Sequence, residues 1–175
     1  IKRSLPHLKK HEKTALLFVI VKIFFLPIML DFFFSNYIYF KNQIPEILGS
    51  KTLFTMASFN DILFPFILAS IFMLDTLWFS FGYAFEARFL KNTVRSVEPT
   101  VFGWVVALVC YPPFNGTTSK YIDWYANDFI LFFNDTLTFI MRLIIVFLML
   151  IFLSATFALG TKCSNLTNRG IVSRG

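Results

Sequence analysis

The chain is poor in charge, in cysteine and in histidine. Charged residues make up 15% of its 175 residues, whereas an ordinary soluble domain carries about a quarter. Its two cysteines, Cys110 and Cys163, build no disulfide framework. Neither has His or Cys at metal-ligand spacing, so both read as plain thiols, Cys110 in a membrane helix and Cys163 in a reducing cytoplasm. The two histidines, His7 and His11, would share one helix face, yet no third ligand stands near them and no metal site is expected. A Gly-rich phosphate loop, a nucleophile elbow, a His-Glu-x-x-His and a Cys-x-x-Cys are all missing. These residues alone specify no reaction.

Apolar residues are what the chain has in excess: 57% are hydrophobic and 19% aromatic, with 25 Phe. The mean hydropathy is +0.67. A globule of this size would leave much of that surface facing water. Lipid is the expected solvent, and the expected fold is all-α: a polytopic integral membrane helix bundle of about four transmembrane helices.

The runs place the spans. Residues 1–13 form a basic arm with Lys2, Arg3, Lys9, Lys10 and Lys13. Residues 14–34 are the first span, about 31 Å of helix at 1.5 Å per residue, enough for the hydrocarbon core. Its length, and the lack of a small-residue cleavage site, exclude a signal peptide. Pro27 should kink it, and Tyr37 and Tyr39 fit an interfacial belt. Residues 35–59 read as a mixed loop with Pro45 and Gly49. The second span is 60–82, followed by a basic loop over 83–99. Residues 100–114, ended by Pro112-Pro113, are short for a crossing. An acidic, aromatic loop over 115–137 holds Asp123, Trp124, Tyr125, Asp128 and Asp135. Its two sequons, at Asn115 and Asn134, carry no meaning outside a secretory context. The last span is 138–160, where Ser154 and Ala158 form a small-xxx-small pair. Residues 161–175 form a polar tail.

Basic residues orient the bundle. If 100–114 crosses, the arm, the middle loop (Arg88, Lys91, Arg95) and the tail (Lys162, Arg169, Arg174) share one side. Only Lys41, Lys51 and Lys120 then lie on the other. The positive-inside rule favours that arrangement, with both termini cytoplasmic. The net charge of +6 therefore reports topology, and no nucleic-acid partner is expected because no basic-aromatic stripe or recognition-helix pattern accompanies it.

Four ionisable residues fall within spans: Lys22, Asp31, Asp75 and Arg142. Each costs about 2.5 to 3.5 kcal/mol at a helix centre, which favours pairing inside the bundle. By depth, Lys22 is expected to meet Asp75, and Arg142 to meet Asp31. They serve either as structural glue between helices or as the lining of a polar path in a non-enzymatic transporter or channel subunit.

The tail carries a resemblance. Gly170-Ile171-Val172-Ser173-Arg174-Gly175, following a membrane helix and a polar turn, is similar to the stretch leading into the cofactor motif of isoprenylcysteine carboxyl methyltransferase-like enzymes. The run from Val97-Glu98-Pro99-Thr100 through Tyr111-Pro112-Pro113-Phe114-Asn115 also looks like bacterial members of that family. The resemblance implies an S-adenosylmethionine-dependent membrane methyltransferase acting on a lipophilic acceptor, a prenylated cysteine carboxylate or a phospholipid. It implies a bacterial inner-membrane location, with Arg174 and Gly175 at the start of the cofactor-binding segment and most of that site after Gly175. A chain starting at Ile1 and stopping in an uncapped turn reads as the N-terminal part of such an enzyme, inactive alone.

Overall fold

The computed structural model describes residues 9–122, 129 and 131–170. Lys2, Arg3, His7, Asp123, Trp124, Tyr125, Asp128, Arg174 and Gly175 lie outside them. The described chain is mostly helical, and three of its helices are long and apolar enough to cross a membrane: Lys10–Gly49, Met56–Ala84 and Asp135–Lys162.

Helix α1 (Lys10–Gly49) starts where the Glu12 carboxylate accepts the Lys9 backbone N–H at 2.7 Å. It ends where the Ser50 N–H reaches the Glu46 and Ile47 carbonyls. The expected loop over 35–59 is therefore helical as far as Gly49. Nothing between Tyr37 and Leu48 opposes a helix except Pro45, and one proline removes a single backbone donor. Over 40 residues α1 is about 60 Å long and outruns a hydrocarbon core of about 30 Å.

The second membrane helix is compound. Thr55 caps the short α2 (Met56–Ser58) by accepting the Ser58 N–H. A π-helical turn over Phe59–Leu63 then leads into α3 (Phe64–Ala84). Helix α1 runs antiparallel to α3, with Phe40 against Phe66 at one end and Phe25 against Tyr83 at the other, ring centroids 4.8 and 5.8 Å apart.

After α3 comes strand β1 (Ser96–Val97), then α4 (Val101–Val109) and α5 (Asn115–Thr118). The expected span over 100–114 is thus a helix of nine residues, about 14 Å long and too short to cross by itself. Thr100 starts it by accepting the Gly103 N–H at 3.1 Å, and Tyr111 turns the chain out of it before Pro112-Pro113.

Helix α6 (Asp135–Leu159) is capped by Asn134, whose side chain accepts the Thr136 N–H at 2.7 Å. That sequon asparagine has a structural job. Gly160 ends the helix at φ 60°, in the left-handed region where a side chain would be strained. Strand β2 (Thr167–Asn168) then pairs antiparallel with β1.

Helices α3 and α6 are parallel. Phe59 meets Phe139 at their starts, ring centroids 4.9 Å apart. At their ends the Cys163 carbonyl oxygen approaches Gly82 so closely that a Cβ there would sit 2.3 Å from it. The chain between Ala84 and Asp135 must therefore travel the whole length of the bundle. Tyr111 and Phe114 rest on Phe25 and Phe24, still near the end where Phe25 meets Tyr83, and Phe129 reaches Phe64 at the far end. The start of α1, the 85–97 segment and the tail consequently share one pole, which carries Lys10, Lys13, Arg88, Lys91, Arg95, Lys162 and Arg169.

The core is thin. Phe18, Val21, Phe25, Met29, Tyr83 and Val97 form it, mainly between α1 and α3 near the basic pole. Helix α6 presents Ile144, Phe147 and Ile151 outward, each about half exposed or more. A belt of this kind fits lipid rather than water. Ser154 and Ala158 also point outward, so no helix of this chain covers the small-residue pair.

Candidate functional site at the basic pole

The tail is built into the basic pole. The Asn165 N–H donates to the Tyr83 hydroxyl at 2.6 Å, and the Asn165 side-chain amide donates to the Tyr111 hydroxyl at 2.8 Å. Beside the β1–β2 pair, the Arg95 N–H donates to the Asn168 carbonyl and the Glu98 N–H to the Leu166 carbonyl, both at 2.8 Å. Asn92 is fully buried. Its side-chain oxygen accepts the Ala87 N–H, and its amide donates to the Phe85 and Thr161 carbonyls. One side chain thus ties the segment after α3 to the segment after α6. Gly82 lets those segments touch, since no side chain fits under the Cys163 carbonyl.

Arg169 is the centre of this scaffold, 1% exposed. Its Nε donates to the Ser164 hydroxyl at 3.1 Å and its Nη1 to the Asn92 carbonyl at 3.1 Å. The guanidinium lies over the Phe18 ring, 5.3 Å from its centroid. Burial lowers its pKa below the ordinary arginine value, and Glu86 opposes that shift. Arginine nonetheless remains charged at any physiological pH. Cys163, also buried, has its thiol pushed up to about 11, by burial first and by the charge of Asp75 second. Glu98 is held below the usual carboxylate range by the Thr100 hydroxyl and N–H, which both donate to it.

Besides a cleft along the β1–β2 pair, lined by Glu98, Leu166 and Asn168 among others, two cationic clefts open here. The larger, about 580 Å³, is lined by Lys10, His11, Lys22, Glu86 and Arg95 and by the apolar Ala15, Phe18, Val19 and Val94. The smaller, about 330 Å³, is lined by Arg88, Lys91, Thr93, Arg95, Lys162 and Arg169. Arg95 belongs to both.

The charges expected to pair inside the bundle do not. Lys22 donates to the Ala84 carbonyl at 3.4 Å and lies over the Phe18 ring. Asp75, nine residues before Ala84, sits about 14 Å further along α3. It accepts instead from the Thr156 hydroxyl at 2.6 Å. Arg142 donates to the Asn60 carbonyl at 2.6 Å and lies over the Phe64 ring. Asp31 is exposed, between Phe25 and Phe40 along α1. The expected depths differ from the packed ones: Lys22 lies level with Ala84, about two and a half turns from Asp75, so the two cannot meet. Among the described residues no cluster of His, Cys, Asp and Glu could hold a metal ion. Asn92, Tyr83 and Arg169 were not singled out from sequence as site residues, because a lone polar residue beside a helix end looks like any solvated turn. Arg174 and Gly175 lie outside the described residues, five and fewer positions beyond Gly170. No family model, curated protein or solved structure matches the chain.

Proposed function

We propose that this chain crosses the bilayer four times, with its basic pole in the cytoplasm, and holds the lipophilic acceptor of an S-adenosylmethionine-dependent methyl transfer. The third crossing would fall between Tyr111, held to Asn165 at the basic pole, and Asp135. The observation that carries the acceptor reading is the larger cleft. It pairs cations, Lys10, Lys22 and Arg95, with an apolar wall of Ala15, Phe18 and Val19, at the end of an apolar bundle. An amphiphile with an anionic head and a hydrocarbon tail fits both halves. A prenylated cysteine with a free carboxylate is such a molecule, and a carboxylate is already nucleophilic at neutral pH, so positioning does most of the work.

The two cationic clefts do not fit S-adenosylmethionine itself. Its sulfonium is cationic, and Glu86 is the one carboxylate lining either cleft. Arg174 and Gly175 stand four and five positions after Gly170, and the cofactor half of the proposal rests on the resemblance of that tail. What this chain's own residues supply is a positively charged seat for the acceptor's head beside an apolar wall.

The intramembrane charges favour this reading over a transporter. Asp75 and Arg142 are each spent on one bond between α3 and α6.

The test is binding of a prenylated cysteine to the protein in nanodiscs, comparing the free acid with its methyl ester. The acid should bind at least about tenfold more tightly, as loss of a charge-assisted contact implies. Lys22→Ala should erase the difference. Equal affinity for acid and ester rejects the proposal.

A further inference from the structure

The smaller cleft has a different chemistry from the larger one. Five cations line it, Arg88, Lys91, Arg95, Lys162 and Arg169, together with the Thr93 hydroxyl, and no carboxylate does. Repulsion among them is costly in a site partly walled by protein. Surface lysines alone would relieve it by swinging into water. Arg169 cannot, because Ser164 and Asn92 hold its Nε and Nη1. Its remaining nitrogen, Nη2, is buried and has no hydrogen-bond partner among the described residues. A buried, charged donor left unpaired is among the more expensive features a fold can keep. An anion seated in the cleft would satisfy it.

The frame around the cleft is preorganised. Asn92 clamps the 85–92 segment onto Thr161, and Gly170, at φ 72°, lets the tail pass under Arg95, where a Cβ would come within 2.6 Å of the guanidinium carbon. Planar guanidinium forks suit phosphate oxygens, and a hydroxyl donor adds to them. Five cations exceed what a phosphodiester needs and suit a group of two or more charges.

We propose that this cleft binds a phosphomonoester or pyrophosphate group, with the Arg95 guanidinium as its fork and Arg169 Nη2 as a single, fixed donor. Because Arg95 also lines the apolar cleft, a lipid-borne phosphate could lay its chain along Phe18 and Val19. A soluble phosphate would occupy the cationic cleft alone.

The full chain in neutral phosphatidylcholine nanodiscs serves as the test. In one arm, inorganic pyrophosphate is titrated calorimetrically. In the other, nanodiscs containing a lipid phosphomonoester, phosphatidic acid, are assayed for retained lipid by native mass spectrometry. Binding in the first arm identifies a soluble phosphate, and binding in the second alone identifies a lipid headgroup. In either case Lys91→Gln, at an exposed position, and Lys162→Gln, which also gives up a 3.4 Å bond to the Gly170 carbonyl, should each weaken binding about tenfold. Lys41→Gln and Lys51→Gln at the opposite pole should not. Absence of binding in both arms, or binding unchanged by Lys91→Gln and Lys162→Gln, overturns the proposal. Neither arm involves a methyl donor or a carboxylate acceptor, so the outcome is independent of the methyl-transfer reading.

Discussion

Arg142 of α6 donates to the backbone carbonyl of Asn60, 2.6 Å away at the start of the neighbouring helix. The reason lies in α3's own hydrogen bonds. Across the π-helical turn, the Phe64 N–H returns to the Phe59 carbonyl. The residue five beyond Asn60 is Pro65, which has no N–H to offer. The Asn60 carbonyl is thus short of a partner at a buried position, and the guanidinium supplies one. A charge that looked like a candidate for a transport path completes a broken helix.

Replacing it exposes the defect. Arg142→Met should destabilise the bundle by about 1 to 3 kcal/mol, the cost of a buried acceptor left unpaired. Pro65→Ala restores an N–H and should recover part of that loss in the Arg142→Met background. Denaturation in mixed micelles, run as a double-mutant cycle, measures the coupling. Purely additive effects would show that the two residues do not serve the same carbonyl.

Asp75 offers a milder case. Asp75→Asn keeps an acceptor for the Thr156 hydroxyl and should leave stability nearly unchanged. Thr156→Val should cost about 0.6 to 1.7 kcal/mol, the range of interhelical hydrogen bonds in membranes. If Asp75→Asn were the more damaging of the two, the carboxylate's charge rather than its hydrogen bond would matter.

Gly82 decides whether the tail can dock. Gly82→Ala forces a methyl group against the Cys163 carbonyl and should cost about 1 to 3 kcal/mol as overpacking. The readout is maleimide labelling of Cys163. In the native protein the thiol is buried and titrates near 11, so labelling at pH 8 should be slow. It should accelerate in Gly82→Ala as the tail lifts. A Gly82→Ala protein with Cys163 still protected would mean that the backbone yields without releasing the tail.

The same thiol sets a pH dependence. Its folded pKa, about 11, stands above the ordinary 9.0, so folding favours the neutral form. That contribution is complete below pH 9 and is lost as the pH rises towards 11. Stability should therefore decline through this window in the native protein and less so in Cys163→Ala. Parallel declines would assign the effect to other groups.

Topology has its own check. Single cysteines placed at Lys51 and at Lys91 in a Cys110→Ser, Cys163→Ser background should label from opposite faces of proteoliposomes. Labelling from one face would rule out a bilayer lying between the two poles.

Residue order alone marked the segments that are long and apolar enough to cross a membrane. The apolar runs around residues 14–34, 60–82 and 138–160 all lie inside the three long helices, because a run of about twenty apolar residues has few stable homes besides lipid. Clustering of cations on one side likewise follows from composition, and the fold gathers them at one pole. Partnership between side chains was beyond the sequence's reach. Depth counted from the ends of apolar runs put Lys22 level with Asp75, but α1 packs on α3 with Lys22 at Ala84, about 14 Å further along, and Asp75 meets Thr156 instead. The docked tail and the buried Arg169 depend on long-range contacts through Asn92, Tyr83 and Gly82. Only the packed tertiary structure brings those contacts together, since none of them repeats with a helical or strand period that a sequence pattern could display.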